Sequence, residues 1–461
     1  MKKPFSRRNF IFSSLLGMTG LKSLQSKTWT AAPEYMPKAR KTLMRTDVLV
    51  VGGGPGGIGA AIAAARSGAK TLLIENYGFF GGVAAWGLGM QINQMRPGGK
   101  SRSVIHEMLI TKLKSYGQMA VRLKGHQVFC NVEYLKVAIL DLLDDVGCQY
   151  LVHTKAVDTL VEGDRVMGVV VATKSGLANI YAQVIIDCTG DADITHFAGA
   201  ETMKEIGNLS PQTLILNLIN SKSKKMVDSE FQDKVNIEKA RKIYPLIPTT
   251  WFMDQVSNCN FSFINHPGTK ELGNYDISDP FEFSEAECKS RRQIIQMVNA
   301  MREYGDDELK NLEICGAAPQ IGVRESRRVK GVYVLTEEDA IQGMKFDDVI
   351  AWRSGYLDIG WVRFSRMKIH QVPYGAILPE KMNGLLTAGR SISASHEAAS
   401  AGKSMGNCIA TGHAAGIAAS LAIKNFKQPR EIAVSKIQDL LREDQVDLAR
   451  GGEEQAEDME G

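Results

Sequence analysis

The chain alternates apolar runs with glycine turns in a regular way near its start. Residues 47–51 read Asp-Val-Leu-Val-Val, a run short enough for a buried strand. A glycine-rich turn follows at 52–57, then small residues at 60–65 that suit a helix packed closely on a sheet. Leu72-Leu73-Ile74 is a second apolar run, closed by Glu75. The pattern predicts strand, turn, helix and strand over 46–76. In 132–146 the apolar residues Leu135, Ile139, Leu142, Leu143 and Val146 recur at helical spacing, and Gly147 stops the helix. Strands are predicted at 150–153, 156–162 and 166–173, with Gly163-Asp164 as a hairpin turn between the last two. The run 184–187 enters a turn at Cys188-Thr189-Gly190-Asp191. Over 200–320 the pattern changes to short apolar pieces mixed with lysines and with Pro245, Pro248, Pro267 and Pro280, which reads as an insertion holding one long helix at 284–304. The earlier pattern then resumes. A strand is expected at 331–335, a strand-to-glycine turn at Gly384-Leu-Leu-Thr-Ala-Gly-Arg390, and a small-residue helix at 402–423.

Gly52, Gly54 and Gly57 fit G-x-G-x-x-G, with Gly53 between them. The first makes the tight turn, the second lets a pyrophosphate approach the backbone, and the third lets helix and strand pack closely. Free N–H groups at the helix N-terminus then face the anion. Glu75, at the end of the second strand, is placed to accept hydrogen bonds from a ribose. Strand, helix, second strand and acid fall in register, so the segment reads as a dinucleotide site.

Composition changes this picture little. At 461 residues the chain is long for one simple core, and two domains are expected. The formal net charge of +4 is too small to argue for nucleic acid. The seven cysteines are scattered without a C-x-x-C pair, and neither His nor Cys shows metal-ligand spacing, so no metal is expected. The first 40 residues stand apart as leader and linker. Lys2, Lys3, Arg7 and Arg8 precede a modestly apolar stretch at 10–21, too short to span a bilayer. Ser6-Arg7-Arg8-Asn9-Phe10-Ile11 resembles a twin-arginine export signal, and Thr30-Ala31-Ala32 suits cleavage. The expected location is periplasmic or secreted, with no stable membrane span once the signal is removed. Residues 426–461 read as a last helix and an acidic tail.

Six pieces occur in order: Gly52-Gly-Gly-Pro-Gly-Gly57, Gly81-Gly82, Asp187-Cys-Thr-Gly-Asp-Ala-Asp193, Arg324-Glu-Ser-Arg-Arg328, Val372-Pro-Tyr374 and Gly389-Arg-Ser-Ile-Ser-Ala-Ser-His-Glu397. Together they resemble the FAD-dependent oxidoreductases with a glutathione-reductase-like flavin domain, related to the fumarate reductase flavoproteins. The resemblance implies an α/β fold: a split, Rossmann-like FAD-binding domain over 45–200 and 321–425, with an inserted substrate or cap domain at 201–320. It implies FAD rather than NAD. It also adds Gly81, Gly82, Val157, Gly190, Asp191, Gly389 and Arg390 to Gly52, Gly53, Gly54, Gly57 and Glu75 as cofactor-binding candidates. Many such relatives carry Gly-Asp where this chain has Gly389-Arg390. The helix opening near Gly402 is expected to aim its positive end at the flavin; an ordinary packing helix is the competing reading.

Flavin supplies the redox chemistry, so the protein needs an acid or base and a substrate anchor. His396 and Glu397 are the candidates for proton transfer, and Arg324, with Arg327 and Arg328, for gripping an anion. A histidine that merely holds the loop, or arginines paired with Glu325 or Glu337, would serve structure instead. His370 and Tyr374 are weaker candidates, and His266 reads as a loop residue. The expected activity is hydride transfer between a small organic molecule and the flavin, with a separate electron acceptor or donor. A flavin monooxygenase or halogenase, or a flavin-bound carrier without turnover, are the alternatives.

Overall fold

The structure is a computed structural model, which describes residues 40–449 apart from 97–101, 206, 208, 211, 221–233, 249–251, 259–260, 266–273, 306, 308 and 360–363. The leader, the acidic tail and His266 lie outside the described residues.

Strand β1, Lys41–Val51, is exposed at its start and fully buried over its last four residues. The glycine turn leads into α1, Pro55–Arg66, whose proline sits in the first turn, where its missing N–H costs nothing. Strand β2, Thr71–Ile74, pairs in parallel with β1 from Val48↔Thr71 to Val51↔Ile74. Four elements follow: the short α2 (Val83–Trp86), α3 (Val104–Ser115), and a hairpin of β3 (Val121–Lys124) and β4 (Gln127–Cys130). Helix α4, Val132–Asp145, is capped by the Asn131 side chain. Strand β5, Gln149–Leu151, extends the parallel sheet beside β2. Strands β6 (Lys155–Glu162), β7 (Arg165–Thr173) and β8 (Gly176–Asp187) form an antiparallel meander. The length of β8 lets it lie beside β1 throughout. The short α5, Asp193–Phe197, follows.

The insertion has its own sheet. After β9 (Thr202–Met203) come β10 (Leu216–Ile219), α6 (Lys234–Ile243), β11 (Phe252–Gln255), β12 (Ser262–Asn265), α7 (Pro280–Tyr304) and β13 (Glu313–Ala317). The four strands from β10 to β13 are ordered β11-β12-β10-β13, all antiparallel. They share a second apolar core with α7 through residues such as Leu216, Phe263, Met297 and Met301. Trp86 and Phe129 belong to the same core, so the insertion is packed onto the main body.

Beyond the insertion, β14 (Arg328–Val329) pairs with β9. The strand expected at 331–335 does not form: Gly331 and Leu335 make only single bridges, to Pro379 and Ala394. Helix α8 (Glu337–Gln342) starts there on a reciprocal cap between Thr336 and Asp339. Strands β15 (Val349–Arg353), β16 (Tyr356–Asp358), β17 (Phe364–Arg366) and β18 (His370–Pro373) make two short pairs, β15 with β18 and β16 with β17. Strand β19, Leu385–Thr387, then joins the end of β8 in parallel and completes a seven-stranded sheet. The single helix expected over 402–423 is two: α9 (His396–Gly402) and α10 (Met405–Asn425). Ser404, at ψ 141, turns the backbone out of the helix between them. A last helix, α11 (Val434–Glu443), packs near α10.

Glycine sets the closeness of α1 and α10. A Cβ at Gly412 would overlap the Gly56 carbonyl, and one at Gly416 would overlap the Ala60 carbonyl. Two helix backbones in contact leave no room for side chains between them. The glycine turn is thereby clamped against the sheet end and α10.

Candidate active site

The turn after β1 has the geometry its sequence demands. Gly52 has φ +99, a backbone conformation that disfavours a side chain. A Cβ at Gly57 would overlap the Gly52 carbonyl oxygen. At Gly54 the nearest atom to an added Cβ is the Gly82 Cα at 4.0 Å, so that face is open. Gly54 caps α1 without any side-chain hydrogen bond, and the first turn of the helix carries no acid. The helix N-terminus is thus left for an anion. Gly82, at φ +50, faces Gly54 across the opening, and the Gly81 N–H donates to the Gly53 carbonyl at 2.8 Å. Gly389 closes the other side, its Cα 3.0 Å from where a Gly56 Cβ would stand.

Glu75 is 7% exposed and accepts N–H bonds from Gly53 (2.7 Å) and Tyr77 (2.9 Å). Burial raises its pKa, and those N–H donors oppose the rise. The Thr154 N–H donates to the Glu75 carbonyl at 2.8 Å, and β6, which carries Val157, starts at the next residue. These residues form a backbone-lined cradle that would hold the two phosphates and a ribose of a dinucleotide.

The family model for FAD dependent oxidoreductases matches residues 47–441, from the start of this cradle to the last helix. The chain belongs to that family. This FAD dependent oxidoreductase is 28% identical over 217 residues to the thiamine thiazole synthase of Aeropyrum pernix, covering 44% of this chain and 72% of that protein. It is 32% identical over 163 residues to the thiamine thiazole synthase of Methanococcus vannielii, covering 33% of this chain and 59% of that one. Among solved structures it is similar to a geranylgeranyl bacteriochlorophyll reductase-like protein from Thermoplasma acidophilum, at TM-score 0.48 and 16% identity over 87% of this chain and 84% of that chain. The protein is an enzyme, and its cofactor is FAD. The open face at Gly54, the uncapped N-terminus of α1 and the buried Glu75 carboxylate fit that cofactor.

The remaining candidates gather beyond Gly389. Arg390 does not stand free for a cofactor. Its guanidinium pairs with Asp191 at 2.6 Å, and Ser326 also bonds Asp191. The charge that Arg390 brings is thus balanced by an acid four residues beyond the end of β8, the strand that β19 pairs with. The arginine cluster also divides. Arg327 pairs with Asp193, whose carboxyl is pushed up to about 6 by burial and by Asp191 and Asp187, against the pull of Arg327. Arg328 pairs with Glu325 at 2.5 Å and donates to the Ala394 carbonyl at 3.0 Å. Arg324 lines a small cavity with Ser210, Glu325, Arg328, Arg390 and Ser400.

His396 opens α9, its helix capped by the Ser395 side chain. The ring is 6% exposed, and Nδ1 lies 2.6 Å from Glu325 Oε1. A carboxylate only accepts, so Nδ1 carries the proton and the neutral ring holds its lone pair on Nε2. That Nε2 is buried without a partner among the described residues. Burial alone would lower the His396 pKa, but the hydrogen bond and charge of Glu325, helped by Glu205 and Glu397, raise it overall. Burial pushes Glu325 up, yet His396 and Arg328 hold it below its ordinary value. His396 is one turn before Ser400, on the same helix face as the cavity wall.

Glu397 does not share this role. It is half-exposed in the first turn of α9, and accepts from Ser395 Oγ at 3.0 Å. Glu325 is the carboxylate that sequence reading left as a structural partner. Its signal was a single acid among three arginines. Tyr374 donates to the Pro429 carbonyl at 2.8 Å, a structural bond. Among the described residues no group of three or more His, Cys, Asp or Glu is placed to hold a metal, and no helix is long and apolar enough to cross a membrane.

Proposed function

We propose that this enzyme transfers hydride between a small organic substrate and the flavin, with His396 as the general base and Glu325 as its positioning partner. The observation that supports this reading is the partnerless, buried Nε2 of a histidine whose other nitrogen is fixed by a carboxylate. Bound FAD supplies a two-electron acceptor. His396 Nε2 takes the proton of a substrate hydroxyl or amine as its carbon loses hydride. Glu325 keeps the ring in one tautomer and stabilises the imidazolium that results. Arg324 and Ser400 line the space where a substrate would be oriented. A separate electron acceptor, or a donor for the reverse reaction, completes the cycle.

The test is anaerobic mixing of the FAD-loaded protein with sugars, polyols and carboxylic acids, followed by the visible flavin band. Bleaching by one class, slowed in His396→Ala with the flavin retained, is the expected result. Rapid oxygen consumption with NAD(P)H, and no anaerobic bleaching by any class, would assign oxygen chemistry instead.

The same reading includes export in the folded, FAD-loaded state through the twin-arginine route, on the strength of Ser6-Arg-Arg-Asn-Phe-Ile11. Replacing Arg7 and Arg8 together by lysine should leave the protein in the cytoplasm. Unchanged location of that double variant would overturn the route.

A further inference from the structure

Helix α10 ends in a motif that glycine normally closes. The Lys427 N–H donates to the Ala422 carbonyl at 3.0 Å, and the Phe426 N–H to the Ile423 carbonyl at 3.2 Å. This pair of bonds turns the chain through one residue in the left-handed conformation, which glycine adopts without strain because it has no side chain. Here the residue is Phe426, at φ 54 and ψ 41. A bulky side chain in that conformation costs stability. Nothing in the fold offsets the cost. The ring is 95% exposed, the highest value for a large apolar side chain among the described residues.

The base under the ring is anchored. Pro429 is buried, and its carbonyl accepts from the Tyr374 hydroxyl at 2.8 Å. Gln428 and Glu431 cap one another, and Gln428 Oε1 accepts the Gly384 N–H at 2.9 Å. Arg430 donates to the carbonyls of Pro379, Glu380 and Met382. Around the ring the surface is basic. Lys424 and Lys427 are exposed on either side of it. The Lys424 stem reaches Gly68, its Cε 4.0 Å from where a Cβ there would stand. Ser420 Oγ donates to the Ser67 carbonyl at 2.9 Å, so the turn after α1, which leads to the exposed Lys70, lies beside the last turns of α10. The acids of these turns are held by their own neighbours. Glu431 accepts from the Gln428 N–H at 2.7 Å, Asp47 from the Lys70 N–H at 3.2 Å, and Asp444 pairs with Arg66 at 3.1 Å.

We propose that Phe426, with Lys424, Lys427 and Lys70, docks the enzyme on an anionic lipid surface. The ring enters the apolar boundary of the bilayer while the lysines meet the lipid phosphates. A single projecting aromatic among lysines suits that occupant better than it suits a protein. Protein interfaces bury a broad patch, and their cores are poor in lysine. Helix α10 has 21 residues, about 30 Å of length, and meets the cradle through Thr411 and Gly412. The docking surface is at its last turn, so lipid contact leaves the cradle and His396 untouched.

The test mixes the FAD-loaded, full-length protein with vesicles of phosphatidylcholine and phosphatidylglycerol, and with vesicles of phosphatidylcholine alone, and measures the fraction that sediments. The protein should bind the anionic vesicles roughly tenfold or more tightly than the neutral ones, and high salt should release it. Phe426→Gly separates docking from folding. It should raise the melting temperature by about 1–3 °C, because glycine relieves the strain, and weaken vesicle binding by roughly tenfold. Lys424→Gln with Lys427→Gln should weaken binding to the anionic vesicles by roughly ten- to thirtyfold and leave melting within about 1 °C of wild type. A lower melting temperature in Phe426→Gly would mean that the ring packs on the fold, and would overturn the proposal. Equal binding of wild type to both kinds of vesicle, or no binding to either, would do the same. Both variants keep residues 1–40, so wild-type binding in either would assign the contact to the leader instead. A wild-type dimer in light scattering that Phe426→Gly dissolves, without vesicle binding, would assign the ring to a second copy of the chain and overturn the lipid surface.

Discussion

The two ends of the candidate site are built by different means. At the Gly52 end, one stretch of chain supplies the turn, the helix and the acid, and the contacts are backbone to backbone. At the His396 end, side chains from residues 210, 324–328, 390 and 396–400 converge from separate parts of the chain. The first end is a conformation that only glycine permits. The second is a set of charges that neutralise one another in pairs: Arg390 with Asp191, Arg328 and His396 with Glu325. A backbone cradle tolerates no extra atom. A charge network tolerates a change of atom, and responds to a change of protonation.

The largest effect is therefore expected at a glycine. In Gly57→Ala the new Cβ overlaps the Gly52 carbonyl oxygen, and both sides of the clash are backbone. The variant should lose more than about 3 kcal/mol of stability and hold no FAD. Gly54→Val should behave otherwise, because its side chain enters open space beside Gly82. It should fold with near wild-type melting and still be colourless. Melting curves and the visible spectrum separate the two, and a yellow Gly54→Val protein would break the assignment of the cradle.

At the other end, His396→Ala should keep both fold and FAD while slowing anaerobic flavin reduction by roughly 10²–10⁴-fold. The pH dependence carries a sign. A general base must be neutral, and Glu325 raises the His396 pKa, so the reduction rate should rise with pH through a value above 6.5. Glu325→Gln should move that rise to lower pH. Stability follows the same pair in two limbs. The His396 contribution is complete below its unfolded pKa and is lost as pH rises through the raised folded value. The Glu325 contribution is complete above its unfolded pKa and is lost as pH falls through the lowered folded value. The difference in melting temperature between wild type and His396→Ala should therefore be largest between about 4.5 and 6.5. A difference that does not vary with pH would remove the ion pair from the account.

This contrast also explains what the sequence reveals. The glycine spacing, the strands at 150–173 and the helix at 132–146 are local patterns, and each is found within a few residues of its expected place. The helix at 104–115 and the hairpin at 121–130 carry weaker periodicity and were not expected. The strand expected at 331–335 fails because the apolar alternation there finds only isolated partners, so its backbone joins no sheet. The Glu325–His396 contact joins residues 71 apart in sequence. No spacing rule reaches that far, and the acid next to the histidine in the chain, Glu397, bonds Ser395 rather than the ring. The break before α10 is equally silent, since Gly402-Lys-Ser-Met reads as helix until Arg353 is seen against Gly402.

A smaller effect is expected where charge is balanced but partly wet. Asp191 and Arg390 have side chains 28% and 18% exposed, so solvent screens their attraction. Asp191→Asn should cost about 1 kcal/mol, or roughly 2 °C in melting temperature. It would also release Arg390 toward the cradle beside Gly389, so FAD affinity should change by no more than a few-fold. A complete loss of FAD in Asp191→Asn would mean that the carboxylate touches the cofactor itself, and the pairing with Arg390 would be secondary.

The smallest effect belongs to Glu397, and it tests the comparison most closely. Its carboxylate stands in the first turn of α9, where the helix dipole favours an anion, and it accepts from Ser395 Oγ. Neither it nor His396 lines the cavity itself, but Glu325, the partner of the His396 ring, does, and Glu397 only follows His396 in the chain. Glu397→Gln keeps the acceptor oxygen and the shape, and removes the charge. Stability should fall by roughly 0.3–1 kcal/mol, the usual value of a charge at a helix end. Glu397 also helps to raise the His396 pKa, though less than Glu325 does, so the pH profile should move slightly to lower pH. Flavin reduction at its pH optimum should stay within a few-fold of wild type. If Glu397→Gln slows reduction as far as His396→Ala, the neighbour in sequence is a working part of the site. Glu325 would then be a structural anchor for Arg328, and the division between a local cradle and a long-range proton site would fail.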